Sequence, residues 1–231
     1  MSSISASVVL VHGAWADGSS WAKVIAPLVA DGIRVIAAPL PLSSFADDVA
    51  ALERALERAA GPTVLVGHAY AGAVIAAARG EKVRALVYVA ALAPDEGETV
   101  ADVFYRGEAD PQAPRLAPDG HSLIYLPDSA FADAFAPDAP VEAQSLLAAV
   151  QRPISPACIT VPMDRPRWKD LPSWYLVAER DRMIAAETQL FMAARMNAQV
   201  RSHPVDHSPL VTAPAVVVDI IREAIAATSL A

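Results

Sequence analysis

The most informative segment for the fold is TVLVGHAYAGAVIAAAR, residues 63–79. Its first part, Thr63–Gly67, is an apolar run rich in β-branched residues, which is typical of a strand buried on both faces of a sheet. A helical run, Ala73–Arg79, begins only a few residues later. The connecting residues are mostly small, as a sharp turn requires where the backbone of the strand and the helix approach closely. The stretch therefore predicts a strand, a tight turn and a helix packed directly on that strand.

Similar apolar runs recur on both sides of this stretch. We interpret six of them as buried parallel strands, at Val8–Val11, Arg34–Ala38, Thr63–Gly67, Val83–Ala90, Trp174–Ala178 and Gln199–His203. Further helical patterns lie between or after them, at Ser20–Ala30, Ala46–Ala60, Glu187–Asn197 and Ala215–Ala227. Alternating strands and helices predict an α/β fold with a doubly wound, mostly parallel sheet of about six strands.

One part of the chain breaks this alternation. Residues 93–172 contain twelve of the nineteen prolines and only short apolar clusters. Proline at this density disfavours long helices and central strands, and about eighty irregular residues are too many for an ordinary loop. We therefore predict that residues 93–172 form an inserted cap, and that residues 1–92 and 173–231 form the core.

Composition and charge limit the classes of partner. The net charge is −8 and the basic residues are scattered, so that neither nucleic acid nor an anionic membrane is an expected partner. The apolar stretch Ala69–Ala78 is far shorter than the roughly 20 residues of a membrane-spanning helix. A basic segment and a long apolar run are both missing at the N-terminus, which predicts a cytoplasmic protein without a signal peptide. We expect a monomer or homodimer that acts on a small molecule.

No cofactor is predicted from the sequence. Cys158 is the single cysteine, so that no internal disulfide can form, and no Cys/His cluster has the spacing of a structural zinc site. A glycine-rich phosphate-binding loop is also missing, which argues against a nucleotide or a flavin. We therefore expect no metal and no organic cofactor.

Four motifs together resemble the α/β-hydrolase superfamily, in its branch of small esterases and hydroxynitrile lyases. They are Val9–Trp15 after the first strand, Gly67–Gly72 at the tight turn, Trp174–Asp181 late in the chain, and Val205–Pro209 near its end. Each motif alone is weak, but their combination and order are specific. The resemblance covers nearly the whole chain except the predicted cap.

The resemblance implies a catalytic site with one departure from the family. His207 would be the general base, Asp181 the carboxylate that orients it, and the backbone amides of Ala14 and Tyr70 the oxyanion hole. Ala69 stands at the apex of the turn, the nucleophile elbow, where the family carries its nucleophilic serine. Because alanine has no hydroxyl, no acyl-enzyme can form there, and the chain as written is expected to be a poor or inactive serine hydrolase.

Other polar residues near these motifs receive different interpretations. Glu179 and Asp206 compete with Asp181 for the acidic role, and Asp206 is the reserve. We expect His12 and His68 to be structural hydrogen-bonding residues. The remaining groups are interpreted as an inert buried thiol at Cys158, a Ser208 hydroxyl that points away from the site, and a solvated helix face formed by Asp47, Asp48, Glu53 and Glu57.

Aromatic residues around the motifs and in the cap indicate a substrate pocket. The residues expected to line it are Trp15, Tyr70, His121, Tyr125, Phe131, Phe135 and Trp168. As a set they favour a small apolar or aromatic substrate.

Three functions remain open at this point. The first is an enzyme for a small ester, lactone or related acyl compound, present as a serine-to-alanine form that keeps its binding site. The second is a natural lyase or isomerase in which His207 and Asp181 move a proton and the oxyanion hole holds the anion. The third is a protein that binds a ligand without turnover.

Overall fold

A single parallel sheet forms the centre of the computed structural model, which describes residues 6–228. The six strands are β1 Ser7–Val11, β2 Arg34–Ala38, β3 Thr63–His68, β4 Val83–Val89, β5 Ser173–Ala178 and β6 Gln199–His203. Their order is β2-β1-β3-β4-β5-β6, and every neighbouring pair is parallel. The predicted α/β fold with a parallel sheet of six strands is confirmed. The order reverses between β1 and β3, and ligands of such sheets bind beyond the carboxyl ends of the strands at this point.

Helices cover both faces of the sheet. They are α1 Ala22–Ala30, α2 Phe45–Glu57, α3 Ala71–Ala77, α4 Val100–Phe104, α5 Val141–Val150, α6 Ala186–Arg195, α7 Pro209–Thr212 and α8 Pro214–Thr228. Helices α1 and α8 pack on one face, and α2, α3 and α6 pack on the other. Within the described part of the chain, no helix combines the length and the apolar character needed to cross a bilayer.

The core is divided into two layers by the sheet. Strand β1 shows the division, because its side chains point alternately to opposite faces. Val8 and Leu10 belong to the apolar layer under α1 and α8, whereas Val9 and Val11 belong to the layer under α2 and α3. All four are fully buried, which explains why the strand is apolar at every position.

Several helix boundaries differ from the predicted ones. Helix α2 begins at Phe45, directly after Ser44, whose hydroxyl accepts a hydrogen bond from the Asp47 amide at 3.1 Å. It ends at Glu57, three residues before the predicted end. Helix α3 begins two residues earlier than predicted, at Ala71, so that the turn after β3 is even shorter than the sequence pattern indicates.

The proline-rich segment, residues 93–172, contains α4, α5 and several single helical turns. An antiparallel bridge between Ile124 and Ile154 joins its two halves. Trp15, in the loop after β1, contacts both halves, because its amide donates to the Arg152 carbonyl oxygen at 3.0 Å and its indole N–H to that of Ile124 at 2.9 Å. The segment thus lies over the loop after β1. Its assignment as a separate cap stays a prediction.

Two of the predictions involve terminal residues that the structure does not describe. Residues 1–5, on which the prediction of a missing signal peptide partly depends, lie outside the described residues. The ends of the predicted core at residues 1–5 and 229–231 lie outside them as well.

Candidate active site

The turn between β3 and α3 has a strained apex. Ala69 has a φ of +50°, in the left-handed region that residues with a Cβ rarely adopt. Glycine is required on both sides of it. A Cβ at Gly67 would lie 2.8 Å from the carbonyl oxygen of Ala71. A Cβ at Gly72 would overlap with the carbonyl oxygen of Leu92. The turn is therefore strained and tightly packed at an apex whose side chain is only a methyl group.

Backbone hydrogen bonds hold this apex in place. The Ala69 amide donates to the carbonyl oxygen of Val89 at the end of β4, at 3.3 Å. The Ala69 carbonyl oxygen accepts from the amides of Gly72 at 3.1 Å and Leu92 at 2.9 Å. Both polar groups of the apex residue are thus satisfied by backbone, and the position of its side chain is fixed by the sheet.

A buried histidine and carboxylate lie beyond the ends of β5 and β6. Nδ1 of His207 lies 2.8 Å from Oδ2 of Asp181, and both side chains are almost fully buried. Asp181 also accepts from Gln189 Nε2 at 2.8 Å and from the amides of Met183 and Ile184 at 2.7 and 2.9 Å. These donors fix the carboxylate. When the Nδ1–H of His207 donates to Asp181, Nε2 is the ring nitrogen left to accept a proton.

Asp206 holds the loop of His207 and does not contact the imidazole. Its carboxylate accepts from the Ser208 amide at 3.1 Å, from Thr212 Oγ1 at 2.7 Å and from the Asp138 amide at 3.0 Å. Burial raises the pKa of Asp206. The other competing carboxylate, Glu179, is exposed to solvent. Of the three acidic residues considered from the sequence, the geometry therefore pairs Asp181 with His207.

Two further histidines serve as buried hydrogen-bonding groups. His12 Nδ1 lies 2.9 Å from the Gly13 carbonyl oxygen, and its Nε2 accepts from the Leu40 amide at 3.0 Å. His68 Nε2 lies 2.7 Å from the carbonyl oxygen of His207. Burial lowers the pKa of His12 to about 4 and, together with the nearby His207, that of His68 to about 3. Both are neutral at pH 7, and they hold the loops on either side of the site.

A narrow apolar cavity brings the predicted residues together. Ala14, Ala69, Tyr70 and His207 all line it, and its volume is about 50 Å³. Trp15 also lines it. The indole N–H of Trp15 donates to the Ile124 carbonyl oxygen and the Tyr70 hydroxyl donates to Asp48, so both polar groups already have partners. Most of the remaining wall is apolar, with Leu92, Val100, Ala101, Phe104, Leu116, Ile124, Ile154, Ile159, Met183 and Ile184. The cavity therefore surrounds one imidazole with mostly apolar side chains.

The structure places five residues of the predicted pocket elsewhere. His121 and Tyr125 are exposed on the surface of the proline-rich segment. Phe131 and Phe135 are buried, and the Phe135 ring lies 5.3 Å from the imidazole ring of His207. Trp168 is buried beside Pro94, whose carbonyl oxygen its indole faces at 3.4 Å. Apart from the aromatic residues Trp15, Tyr70, Phe104 and Tyr105, the wall is mainly aliphatic, and a search for aromatic residues does not detect that part.

The predicted solvated face of α2 is wrong for one residue. Asp48 is fully buried, and its carboxylate accepts hydrogen bonds from the Tyr70 hydroxyl and the Leu42 amide, both at 2.7 Å. Its neighbour Asp47 is exposed, as predicted.

The Ser208 hydroxyl donates to the Phe135 carbonyl oxygen at 2.6 Å, and burial raises the pKa of the Cys158 thiol to about 12. Neither side chain is therefore arranged to act as a nucleophile.

Comparison with known families identifies the class of the protein. The model of the alpha/beta hydrolase family matches residues 8–220, and the chain belongs to that family. No curated protein matches it.

Solved structures with the same fold include three whose descriptions name an ester-cleaving or related activity. Polyneuridine aldehyde esterase is 18% identical over 95% of this chain and 98% of its own, with a TM-score of 0.78. The pyrethroid hydrolase PytH is 24% identical over 96% and 98%, with a TM-score of 0.81. The methylesterase MES16 from Arabidopsis is 18% identical over 95% and 98%, with a TM-score of 0.76. These likenesses show the shared fold.

Proposed function

We propose that this chain binds a small apolar ester, lactone or related acyl compound, and that position 69 is the nucleophile position of an esterase-type site. The observation that carries the proposal is the buried His207–Asp181 pair, which shares one cavity with the strained apex at Ala69. The left-handed backbone of Ala69, which costs about 1–2 kcal/mol, lies in the wall of the cavity that His207 also lines.

The remaining groups fit the steps of acyl transfer. With serine at position 69, His207 Nε2 would take the hydroxyl proton as the oxygen attacks the carbonyl carbon of the ester. The oxygen that becomes negative would accept from the Ala14 and Tyr70 amides. Neither amide donates to another backbone carbonyl in the loops and turns of residues 6–228. His207 would then give its proton to the leaving alkoxide, and water would release the acid.

The alanine form lacks only the attacking oxygen. In another serine hydrolase, removal of the nucleophile lowers turnover roughly 2 × 10⁶-fold. We therefore expect the present chain to bind the compound without forming an acyl-enzyme. The small volume of the cavity, about 50 Å³, favours a short acyl group.

Restoring the hydroxyl tests the proposal. We expect Ala69→Ser to hydrolyse p-nitrophenyl acetate and butyrate, with a gain in turnover of up to about 10⁶-fold, and to prefer them to the octanoate. Ala69→Gly is the matched control, because it relieves the strain at φ +50° without adding an oxygen. The double variant Ala69→Ser/His207→Ala should lose the gain. A folded Ala69→Ser variant that is no more active than the present chain refutes the proposal.

A second candidate function is proton transfer without a covalent intermediate. It is favoured by the fact that His207, Asp181 and the two free amides are intact while Ala69 offers only a methyl group. His207 would abstract a proton next to a carbonyl group, and the amides would hold the enolate oxygen. The test follows deuterium exchange into small ketones in D₂O. Exchange by the present chain that His207→Ala abolishes supports this candidate, and exchange at the rate of buffer alone refutes it.

A further inference from the structure

A buried carboxylate behind the cavity contacts the site without lining it. Asp48 lies on α2, is fully inaccessible to solvent and forms no part of the cavity wall. Its Oδ2 accepts from the Tyr70 hydroxyl and its Oδ1 from the Leu42 amide, both at 2.7 Å. Burial raises its pKa, and these hydrogen bonds oppose that effect. Burying a carboxylate costs folding free energy unless hydrogen-bond donors compensate for the lost water. The hydrogen bond from the Tyr70 hydroxyl to Asp48 therefore calls for an explanation.

Tyr70 combines a free backbone amide with a restrained side chain. It follows Ala69 directly, and its amide is one of the two proposed oxyanion donors. The Ala69 side of the shared peptide is held by Leu92 and Gly72, which donate to its carbonyl oxygen. On the other side, the Tyr70 carbonyl oxygen accepts from the Ala73 amide at 3.1 Å, and the Tyr70 side chain adds a second restraint. The far end of that side chain is bound to Asp48.

Asp48 is itself held from the other side. The Leu42 amide that it accepts from belongs to a residue with a φ of +60°, and the Leu42 carbonyl oxygen accepts from the Ser155 amide at 3.0 Å. The carboxylate therefore joins α2, the loop after β2 and the proline-rich segment to the residue after the elbow apex. A hydrogen bond at this position transmits their placement to the Tyr70 peptide.

We propose that Asp48 is a positioning residue for the oxyanion site, which it controls by holding the Tyr70 hydroxyl so that the Tyr70 amide points into the cavity. This inference rests on the proposed function. Removing a whole oxyanion donor costs about 10²–10³-fold in turnover, and misplacing one donor should cost less, about 10-fold.

The test is a double-mutant cycle in the Ala69→Ser background. We expect Asp48→Asn and Tyr70→Phe each to lower kcat about 10-fold, with little change in KM, since the ground-state contacts of the substrate are kept. The double variant should be no slower than the slower single variant, because both changes break the same link. Asp47→Asn is the matched control, since it makes the same charge change one residue away on the exposed face of α2. It should leave kcat unchanged.

Two outcomes would overturn the positioning role. One is that Asp48→Asn and Tyr70→Phe lower the melting temperature but leave kcat unchanged, which is what a purely structural contact does. The other is that their effects on kcat multiply in the double variant, which would show that Asp48 does not act through Tyr70.

A binding experiment on the present chain separates this inference from the proposed function. Butyrate carries a negative oxygen that the two amides can bind, whereas butyramide is a neutral molecule of similar shape. We expect Asp48→Asn to weaken butyrate binding in calorimetry while butyramide binding is unchanged. Equal losses for both ligands refute the inference. Inactivity of Ala69→Ser, by contrast, refutes the esterase proposal, and the butyrate comparison still decides the role of Asp48.

Discussion

The two buried neutral histidines should make the protein sensitive to mild acid. The pKa values of His12 and His68 are lowered to about 4 and about 3, compared with 6.5 in the unfolded chain. Between these values the unfolded state binds more protons than the folded state, so stability falls as pH decreases below 6.5. From pH 7.5 to pH 5.0 this linkage removes about 2 kcal/mol per histidine, or about 4 kcal/mol in total. That is a large fraction of a typical folding free energy.

Urea unfolding followed by circular dichroism at the two pH values measures this loss. The buried carboxyls of Asp48 and Asp206 act in the opposite direction, because burial raises their pKa. Variants therefore isolate the histidine contribution. His12→Asn should reduce the pH dependence by about 2 kcal/mol, whereas His121→Asn, on the exposed surface, is the control and should not reduce it. A His12→Asn variant with the same pH dependence as the parent chain would show that His12 does not cause the loss of stability in acid.

Two further predictions concern the turn after β3 and the His207–Asp181 pair. Gly72→Ala should destabilise the protein by about 1–3 kcal/mol, because the new Cβ overlaps with the Leu92 carbonyl oxygen and lies 2.9 Å from Ala91 Cβ. Gly120→Ala has open space around it and should change stability by less than about 0.5 kcal/mol in urea unfolding; equal losses would contradict the packing argument. In the Ala69→Ser background, Asp181→Asn should lower kcat by about 10⁴-fold. The side-chain NH₂ group of asparagine would face N–H groups that donate to Asp181, and it cannot accept from them. A loss below about tenfold would show that Asp181 does not orient His207.

The sheet could be predicted from sequence because each buried strand has a recognisable pattern of apolar residues. A strand covered on both faces is apolar at every position, and runs such as Val8–Val11 and Thr63–Gly67 show this directly. The turn at Ala69 could be predicted for a similar reason, since only small residues fit next to its apex. These features depend on neighbours in the chain, so the sequence around them is sufficient.

The wall of the cavity depends on contacts between distant parts of the chain, which no local sequence pattern indicates. Ile124 and Ile154 come together through a single bridge in a proline-rich segment, and an aliphatic residue there looks like any other buried residue. Asp48 is an intermediate case. It lies four residues before Leu52 and eight before Leu56, so helical spacing places it on the buried face of α2. That signal was available, but its partner, the Tyr70 hydroxyl, is fixed by tertiary packing.

If His207 and the apex at Ala69 form one site for acyl chemistry, a hydroxyl restored at position 69 should react with a phosphonate ester. The decisive measurement is the intact mass and peptide map of Ala69→Ser after incubation with a short alkyl p-nitrophenyl phosphonate. The hydroxyl at position 69 would attack phosphorus, His207 would take its proton, and p-nitrophenolate would leave. We predict one phosphonyl group on the peptide that contains position 69, and none on the present chain. A folded Ala69→Ser variant that remains unlabelled, or is labelled on another peptide, would show that His207 and position 69 do not form such a site.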